Sequence, residues 1–351
     1  MNPTECASFR GIVPPHLLDR LAQSEDSRHH EPARRTLEHD SVLRTRRRLT
    51  ALRTEAAIAT APADHPQRTI YDSGHQQDLP GRQVLAETDT PCKDATANRA
   101  YAALGATYTY YRDVHGRHSI DDAGLPLIAS VHYGENYDNA FWDGQQMVFG
   151  DGDGVVFGDF TVSVDVIGHE LTHGVTQHTA NLEYYGQSGA LNESLSDVFG
   201  SLIKQYSLGQ TAEQADWLIG AGLLGPDIHG VALRSMKAPG TAYDDPRLGR
   251  DPQPATMDDY LNTPRDNGGV HLNSGIPNHA FYLLASALGG HSWERAGKIW
   301  YATLTGGELA SDADFATFAR LTATVARSLY GDGTETQAVL KAWSQVGVPT
   351  S

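Results

Sequence analysis

Two histidines four residues apart, His169 and His173, lie in a largely apolar stretch with Glu170 beside the first. Four residues advance an α-helix by about 400°, so a helix here would place both imidazoles on one face, one turn apart. This spacing lets two histidines bind one zinc ion, and His-Glu-x-x-His on a helix is a zinc-binding pattern. The sequence therefore predicts a helix over 164–180 that carries a metal site.

A catalytic zinc needs a third protein ligand and an open position for water. A third histidine at the spacing HExxHxxGxxH is excluded, because threonines occupy positions 176 and 179. Glu193 is the better candidate, since the nineteen residues between it and His173 allow a helix, a turn and a second helix. Asp197 follows one turn later on the same face, where it could orient a ligand imidazole.

Glu170 adjoins a ligand without being one, and this position suits a general base. Zinc lowers the pKa of a bound water towards 7, and a neighbouring carboxylate can take its proton and pass it to the leaving amine. A developing oxyanion needs further hydrogen-bond donors. His271, preceded by Asp266 in an irregular segment, is a candidate donor, but spacing leaves a surface or core role equally open.

The chain changes character along its length. Residues 16–58 have a helical pattern, and the proline-bearing stretch 59–68 reads as a linker. Strand-like runs, among them TYTYYRD, PLIASVHYG and QMVFGDG, occupy 69–162 around one helix at 93–115. Further helices are predicted over 164–180, 189–207, 211–223, 273–289, 292–304, 311–329 and 334–344, with an irregular stretch over 225–270. A β-rich half therefore precedes an α-rich half.

Charge is distributed unevenly. Residues 1–53 hold ten arginines against seven acidic residues, whereas the rest of the chain holds 17 basic against 36 acidic side chains. The two parts should attract each other, and so acidic a body disfavours nucleic acid as a partner.

No apolar run of 18 residues is present, so we expect no membrane-spanning helix. The first residues lack the pattern of a secretory signal, and Cys6 and Cys92 could form one disulfide at most.

Four motifs occur in the order and at the separations typical of one family: DNAFWDGQQMVFGDGDG, HELTH, GALNESLSD and DNGGVHLNSG. On these motifs, residues 66–348 resemble the thermolysin-like neutral zinc metallopeptidases. The resemblance implies an α+β fold of two lobes, β-rich and then α-helical, with the HELTH helix between them. It implies a monomeric zinc metalloendopeptidase acting on peptides or proteins, with a precursor segment at 1–55 and catalytic lobes at 56–180 and 181–351.

The resemblance also assigns roles residue by residue. The matching positions are His169, His173 and Glu193 for the zinc ligands, Glu170 for the base, Asp197 and Asn192 for the groups that orient ligand histidines, and Tyr184, His271 and Asp266 for support of the oxyanion. Those for substrate are Asn139 and Ala140 at the edge that binds the peptide backbone, Arg234 in the specificity pocket, and Phe157, Phe160, Val166 and Leu233 in its apolar lining. An apolar pocket predicts a preference for Leu, Ile or Phe after the cut bond.

One expected feature of the family is altered. Where relatives have a double calcium site, Asp165 and Asp216 match, but residues 204, 218 and 221 are lysine, leucine and alanine instead of carboxylates. Calcium takes six to eight oxygen ligands and disfavours a lysine among them. We therefore expect the double calcium site to be lost or reduced.

The N-terminal part is also unusual for the family. Pro14-Pro15-His16-Leu17-Leu18 resembles the short precursor segment of the protealysin subgroup, which implies an inhibitor that the enzyme removes from itself. The Arg46–Leu52 stretch offers Leu49 or Leu52 as the residue after that cut, and Cys6 is a weaker candidate for binding zinc as a thiolate. A permanent helical extension is the alternative.

Two rival functions stay open at this point. A zinc aminopeptidase also carries HExxH and a distant Glu, but no methionine here is followed by the Glu-Asn of its amine-binding strand. A catalytically silent binding or inhibitory protein on the same scaffold would be expected to lack the base or a ligand. Family resemblance implies secretion without a recognisable signal peptide, with cytoplasmic retention as the alternative.

Overall fold

The structure is a computed structural model that describes residues 11–50 and 65–350, without the side chains of 42–50. Its elements in chain order are α1 (Pro15–Leu21), α2 (Ser27–Thr50), β1 (Arg68–Asp72), β2 (Arg82–Ala86), α3 (Ala95–His115), β3 (Leu127–Val131), β4 (Ala140–Trp142), β5 (Met147–Phe149), α4 (Val164–Gln177), α5 (Gly186–Leu208), β6 (Leu218–Ile219), β7 (Arg234–Ser235), β8 (Asp244–Asp245), β9 (Gly249–Arg250), α6 (Asp266–Asn273), α7 (Gly275–Leu288), α8 (Ala296–Thr305), α9 (Phe315–Tyr330) and α10 (Thr334–Gln345). Within these ranges, no helix is both long enough and apolar enough to cross a bilayer.

A five-stranded sheet in the order β2-β1-β3-β5-β4 forms the N-terminal lobe. Strands β1, β3 and β5 run parallel, while β2 and β4 pair antiparallel at the two edges. Helix α3 packs on this sheet. It begins where Asp94 accepts hydrogen bonds from two backbone N–H groups and ends at Gly116 in the left-handed conformation. The edge strand β4 lies against α4, which carries the HELTH sequence.

Helices α4 and α5 approach closely because glycines stand at their contact. A β-carbon on Gly200 would lie 2.5 Å from the carbonyl oxygen of Asp165, and one on Gly168 would lie 3.2 Å from the α-carbon of Gly200. A β-carbon at Gly200 would clash with the backbone of α4, so the close approach of the two helices there requires glycine. The contact brings the histidines of α4 up to the carboxylates of α5.

The C-terminal lobe packs its helices around an aromatic core. Trp300 of α8 stacks on Trp343 of α10 with ring centroids 5.8 Å apart, and Phe318 of α9 meets both rings edge-on. All three rings are buried, and each contributes a large apolar area to the core. Helices α5 and α7 pack into this lobe, and α5 also carries the groups that contact the histidines of α4.

The N-terminal residues form two helices that pack on the body. Pro15 begins α1, which buries Leu17, Leu18 and Leu21. In α2, the hydroxyl oxygen of Thr36 accepts a hydrogen bond from a backbone N–H of the β-rich lobe. Residues 22–26 separate α1 from α2, so the helical pattern predicted over 16–58 is interrupted.

The predicted two-lobed α+β fold is confirmed, but two local predictions are wrong. The TYTYYRD run belongs to helix α3 instead of a strand, and Tyr111 packs there against Phe199 of α5. Residues 211–223 form turns and the short strand β6 instead of a helix, because Trp217, Gly220 and Gly222 have positive φ angles. In both cases tertiary packing overrides the local pattern.

Candidate active site

Helix α4 presents His169, Glu170 and His173 on its buried face, and ligand-type atoms of all three lie within 4.8 Å of one another. From α5, Glu193 brings one carboxylate oxygen to 3.4 Å from Nε2 of His169 and the other to 3.4 Å from Nε2 of His173. Two ligands at about 2.05 Å from a tetrahedral zinc ion stand roughly 3.3 Å apart. The atoms therefore have the separations that a zinc ion requires.

The outer nitrogen of each histidine is held by α5. Nδ1 of His169 lies 2.8 Å from Oδ1 of Asp197, and Nδ1 of His173 lies 2.8 Å from Oδ1 of Asn192 and 3.0 Å from the hydroxyl of Ser196. A histidine that donates through Nδ1 keeps its lone pair on Nε2, which faces Glu193. The partners on α5 thus select the tautomer that binds metal.

Unsatisfied buried atoms provide a separate test of the fit to zinc. Nε2 of His169 and Oε2 of Glu193 are buried and have no hydrogen-bond partner among the described residues. Buried polar atoms are nearly always bonded, so such atoms need an explanation. A metal ion at the point where they converge supplies it, and His169, His173 and Glu193 are the side chains that could hold that ion.

Glu170 is fully buried beside the ligands and held from one side. Its Oε2 accepts a hydrogen bond of 3.0 Å from the backbone N–H of Trp142 in β4, whereas its Oε1 has no partner among the described residues. Burial raises the pKa of Glu170 to about 8. A carboxylate so held can accept and release a proton near neutral pH.

His271 is presented by an irregular first turn of α6, in which residues 266–269 all have positive φ angles. Asp266 binds His271 twice, at 2.8 Å through the backbone N–H and at 2.7 Å through Nδ1. Burial opposes the charged imidazolium, but the carboxylates of Glu193 and Asp266 outweigh it and raise the pKa of His271 to about 9. The hydroxyl of Tyr184 lies 3.3 Å from Nε2 of His271 and also donates to Glu193.

Arg234 is linked through Asp197 to His169. Its Nε and Nη2 donate to both oxygens of Asp197, each at 2.8 Å, and Nδ2 of Asn278 adds a third bond of 2.8 Å. Burial favours the neutral acid, but Arg234 and His169 lower the pKa of Asp197 to about 2. Asp197 therefore stays ionised while it orients His169.

Residues 11–13 lie along the edge strand β4 as an added strand would. Gly11 forms an antiparallel bridge with Phe141, and the N–H of Ile12 donates to the carbonyl of Ala140 at 3.1 Å. The N–H of Val13 donates to Oδ1 of Asn139 at 3.0 Å. The structure thus places both residues of the expected substrate-binding edge against backbone of the chain's own N-terminal part.

The carbonyl groups of the same residues reach the opposite wall of the cleft. Nε2 of His271 donates to the carbonyl of Gly11 at 3.1 Å, and Nη1 of Arg234 donates to the carbonyl of Ile12 at 3.0 Å. The peptide group between Gly11 and Ile12 is therefore held at its carbonyl by His271, which also lies 3.5 Å from Glu193, and at its N–H by Ala140.

The residues predicted to line the apolar pocket are buried. Phe157 and Phe160 lie with ring centroids 6.0 Å apart. Val166, Leu233 and Ile12 are likewise buried in the core.

The positions that match a calcium site are arranged differently. Nζ of Lys204 lies 3.0 Å from Asp165 and 2.8 Å from Asp216, and also reaches the carbonyl of Leu218 at 3.4 Å. Burial lowers the pKa of an ammonium, but the two carboxylates outweigh it and raise the pKa of Lys204. The lysine ammonium thus lies where both carboxylates could bind a cation.

Sequence reasoning missed several groups that contact these residues. Ser196 lies four residues after Asn192, so the shared helix face was a usable signal for its contact with His173. Asn278 and the backbone N–H of Trp142 gave no such signal, because their contacts depend on the packing of separate elements.

Comparison with known proteins agrees with this geometry. Residues 42–177 match the family described as "Thermolysin metallopeptidase, catalytic domain", and residues 180–348 match its "alpha-helical domain". An extracellular metalloprotease of Pectobacterium carotovorum subsp. carotovorum is 52% identical over 96% of this chain and 96% of its own. Protease PrtS of Photorhabdus sp. (strain Az29) is 48% identical over 97% and 92%, respectively.

Among solved structures, the precursor of protealysin, a metalloproteinase from Serratia proteamaculans, is similar with a TM-score of 0.89 and 52% identity. The similarity covers 97% of this chain and 100% of that one. The chain therefore belongs to the thermolysin family of zinc metalloendopeptidases, in the protealysin-like subgroup.

Proposed function

We propose that this metalloendopeptidase cuts peptide bonds on the amino side of bulky apolar residues and is made as a precursor that its own N-terminal segment inhibits. The observation that carries the proposal is the position of the Gly11–Ile12 peptide bond. Its N–H is bound by Ala140 of β4 and its carbonyl by His271, which lies 3.5 Å from Glu193, while Arg234 binds the next carbonyl, that of Ile12.

The chemistry follows from the groups around that bond. Zinc, when bound, supplies Lewis-acid polarisation of a carbonyl and acidifies water. Glu170 takes the proton of the attacking water and passes it to the leaving amine. His271 and Tyr184 donate hydrogen bonds to the carbonyl oxygen as negative charge develops on it, and Asp266 holds His271 for this role.

The specificity follows from what lies after the polarised carbonyl. Ile12 holds the place of the residue after the cut, and its side chain is fully buried. Phe157, Phe160, Val166 and Leu233 line the pocket with apolar surface, while the guanidinium of Arg234 is already paired with Asp197. Such a pocket favours Leu, Ile or Phe and disfavours charged side chains.

The inhibition follows from occupation of the substrate-binding edge. Asn139 and Ala140 bond residues 12 and 13 and are not available to a second peptide. Asp40 of α2 strengthens the contact, since it accepts hydrogen bonds from Tyr137 at 2.6 Å and from Asn139 at 3.2 Å. Arg20 adds bonds to carbonyls of the C-terminal lobe, including that of Arg247 at 3.1 Å.

Removal of the segment would then give the active enzyme. We place its end near residue 55 and the junction of the two catalytic lobes near 180. The candidate cut before Leu49 or Leu52 and the candidate ligand Cys6 lie outside the described residues or side chains. We further propose secretion of a monomer, because relatives such as that of Pectobacterium are named extracellular.

Hydrolysis of casein and of a furylacryloyl dipeptide tests the activity. Purified processed enzyme should cleave both, lose this activity to a zinc chelator and regain it with zinc. A silent binding protein on this scaffold would show no hydrolysis under any of these conditions. A peptide library that favoured acidic or basic residues after the cut would contradict the proposed specificity.

Self-processing is tested with the full-length chain. Wild type incubated at neutral pH should shorten as its activity rises, while Glu170→Ala should stay at full length. The matched control Glu183→Ala changes an exposed glutamate and should process like wild type. Full activity of the intact wild type would remove the inhibitory role.

A further inference from the structure

A second group of metal-ligand side chains lies on the β-rich lobe. Among the described residues, two clusters bring three such side chains within 4.8 Å of one another: the one on α4, and His75, His132 and Asp151. These three residues follow strands β1, β3 and β5, respectively. Because the three strands are parallel, their carboxyl ends meet at one edge of the sheet, and the cluster is a product of the topology.

His132 is arranged as a metal-binding histidine is. Its Nε2 lies 2.8 Å from Oδ2 of Asp94, whose other oxygen accepts the N–H groups that begin α3. A histidine that donates one ring N–H to a fixed carboxylate presents its other nitrogen as a ligand. Here that nitrogen, Nδ1, points at Asp151, with both carboxylate oxygens at 2.9 Å.

His75 completes the group. Its Nδ1 lies 3.4 Å from Oδ2 of Asp151, which is long for a hydrogen bond but close to the roughly 3.3 Å between two ligands of one tetrahedral zinc ion. The backbone N–H of His75 donates to the carbonyl of His132 at 2.8 Å, so the two loops are tied together. Nδ1 of His132 would need to withdraw from Asp151 by only about 0.4 Å to reach the same separation.

The local charge also suits a cation. The carboxylates of Asp151 and Asp94 both face the imidazole of His132, at 2.9 Å and 2.8 Å. The His75 side chain is 59% exposed, so solvent reaches the cluster and water can fill a remaining coordination position. A protonated His132 alone could also balance the charge of the two carboxylates. That arrangement would not require the imidazole of His75.

We propose that His75, His132 and Asp151 bind a second zinc ion, or a similar first-row divalent transition metal, which clamps the loop after β1 to the ends of β3 and β5. Two imidazoles and one carboxylate form a ligand set that suits such metals. The site shares no side chain with the catalytic cluster, so it does not depend on the assignment of catalytic roles.

Zinc binding by the full-length Glu170→Ala protein tests the proposal, because this variant should remain intact. Equilibrium dialysis against increasing free zinc should show two binding steps per chain, the tighter one at the catalytic cluster. His75→Asn should remove the second step only. Asparagine tolerates the left-handed backbone of residue 75, where φ is 61°, so the loop should keep its shape.

Two further variants make the result specific. His229→Ala removes an exposed histidine elsewhere and should retain both steps, whereas Asp151→Asn should lose the second step as His75→Asn does. Zinc should raise the thermal unfolding midpoint of the parent more than that of His75→Asn. A single step in the parent, an unchanged second step in His75→Asn, or its equal loss in His229→Ala would overturn the proposal.

Discussion

Two clusters of charged side chains lie at helices α4 and α5, and their carboxylates are balanced in different ways. At the first, His169 and His173 converge with Glu193 at atom separations of 3.4 Å, which suit a metal ion between them. At the second, the carboxylates of Asp165 and Asp216 enclose the ammonium of Lys204.

The difference shows that one carboxylate cluster can depend on a bound metal ion while a second is balanced by a side chain. Buried carboxylates are destabilising unless a cation faces them. In the second cluster the chain supplies that cation covalently, which we propose removes the calcium requirement expected from the family. In the first cluster the separations leave room for a metal ion, and we propose that zinc from solution fills this place.

Loss of Glu193 should have the largest effect. Glu193→Ala removes the only carboxylate that lies between both Nε2 atoms of the described cluster, so tightly bound zinc and peptidase activity should both disappear. Metal analysis and casein hydrolysis check this, with Glu183→Ala as the control. Normal zinc content in a folded Glu193→Ala protein would break the proposed contrast between the two clusters.

Loss of His271 should spare the metal and slow the reaction. His271→Ala removes a donor to the developing oxyanion, so kcat should fall by about 10²- to 10³-fold with little change in KM. Zinc content should stay that of the wild type. Steady-state kinetics on a dipeptide substrate decide the point, and an unchanged kcat would remove His271 from the mechanism.

More of the first cluster than of its surroundings could be predicted from the sequence. Helical periodicity placed His169 and His173 on one face, and the interval to Glu193 predicted a second helix, because both signals are local. His271 could be placed only by family resemblance, since the positive φ angles of residues 266–269 give no periodicity. The bridge between Gly11 and Phe141 joins backbone groups and leaves no mark on side-chain patterns.

The second cluster was predicted in composition but not in arrangement. Lys204, where the family resemblance implies a carboxylate, predicted the loss of calcium, yet nothing in the spacing showed that its ammonium would reach both Asp165 and Asp216. That contact depends on where residues 211–223 run. Those residues have a helical pattern but form turns, because Trp217 and the glycines near it adopt positive φ angles.

Replacement of Lys204 should act on stability instead of chemistry. Lys204→Met leaves the fully buried Asp165 without its cation, and the free energy of unfolding should fall by roughly 3 kcal/mol. Activity per folded molecule should be kept. Denaturant unfolding measures the loss. In Lys204→Asp, added calcium should raise the unfolding midpoint, whereas in wild type it should not, and a calcium-dependent wild type would contradict the comparison.

Lowering the pH should weaken the docking of the N-terminal segment beside the first cluster and leave the Lys204 cluster unchanged. Burial lowers the pKa of His16 to about 4 from 6.5 in the free segment, so neutral His16 favours docking. Docking should be strongest above pH 6.5 and weaken as the pH falls towards 4. Hydrogen exchange of residues 12–21 in full-length Glu170→Ala, corrected for intrinsic rates, should report this weakening. A His16→Phe version with the same pH dependence would exclude His16 as the cause.

The central claim is that Glu170 moves protons while His169, His173 and Glu193 hold the metal. Tightly bound zinc and peptidase activity, measured together on folded Glu170→Ala in which the precursor segment has been removed by another protease, test it most directly. We predict wild-type zinc content with activity reduced to background. Retained activity, or zinc lost from a natively folded Glu170→Ala protein, would contradict the account.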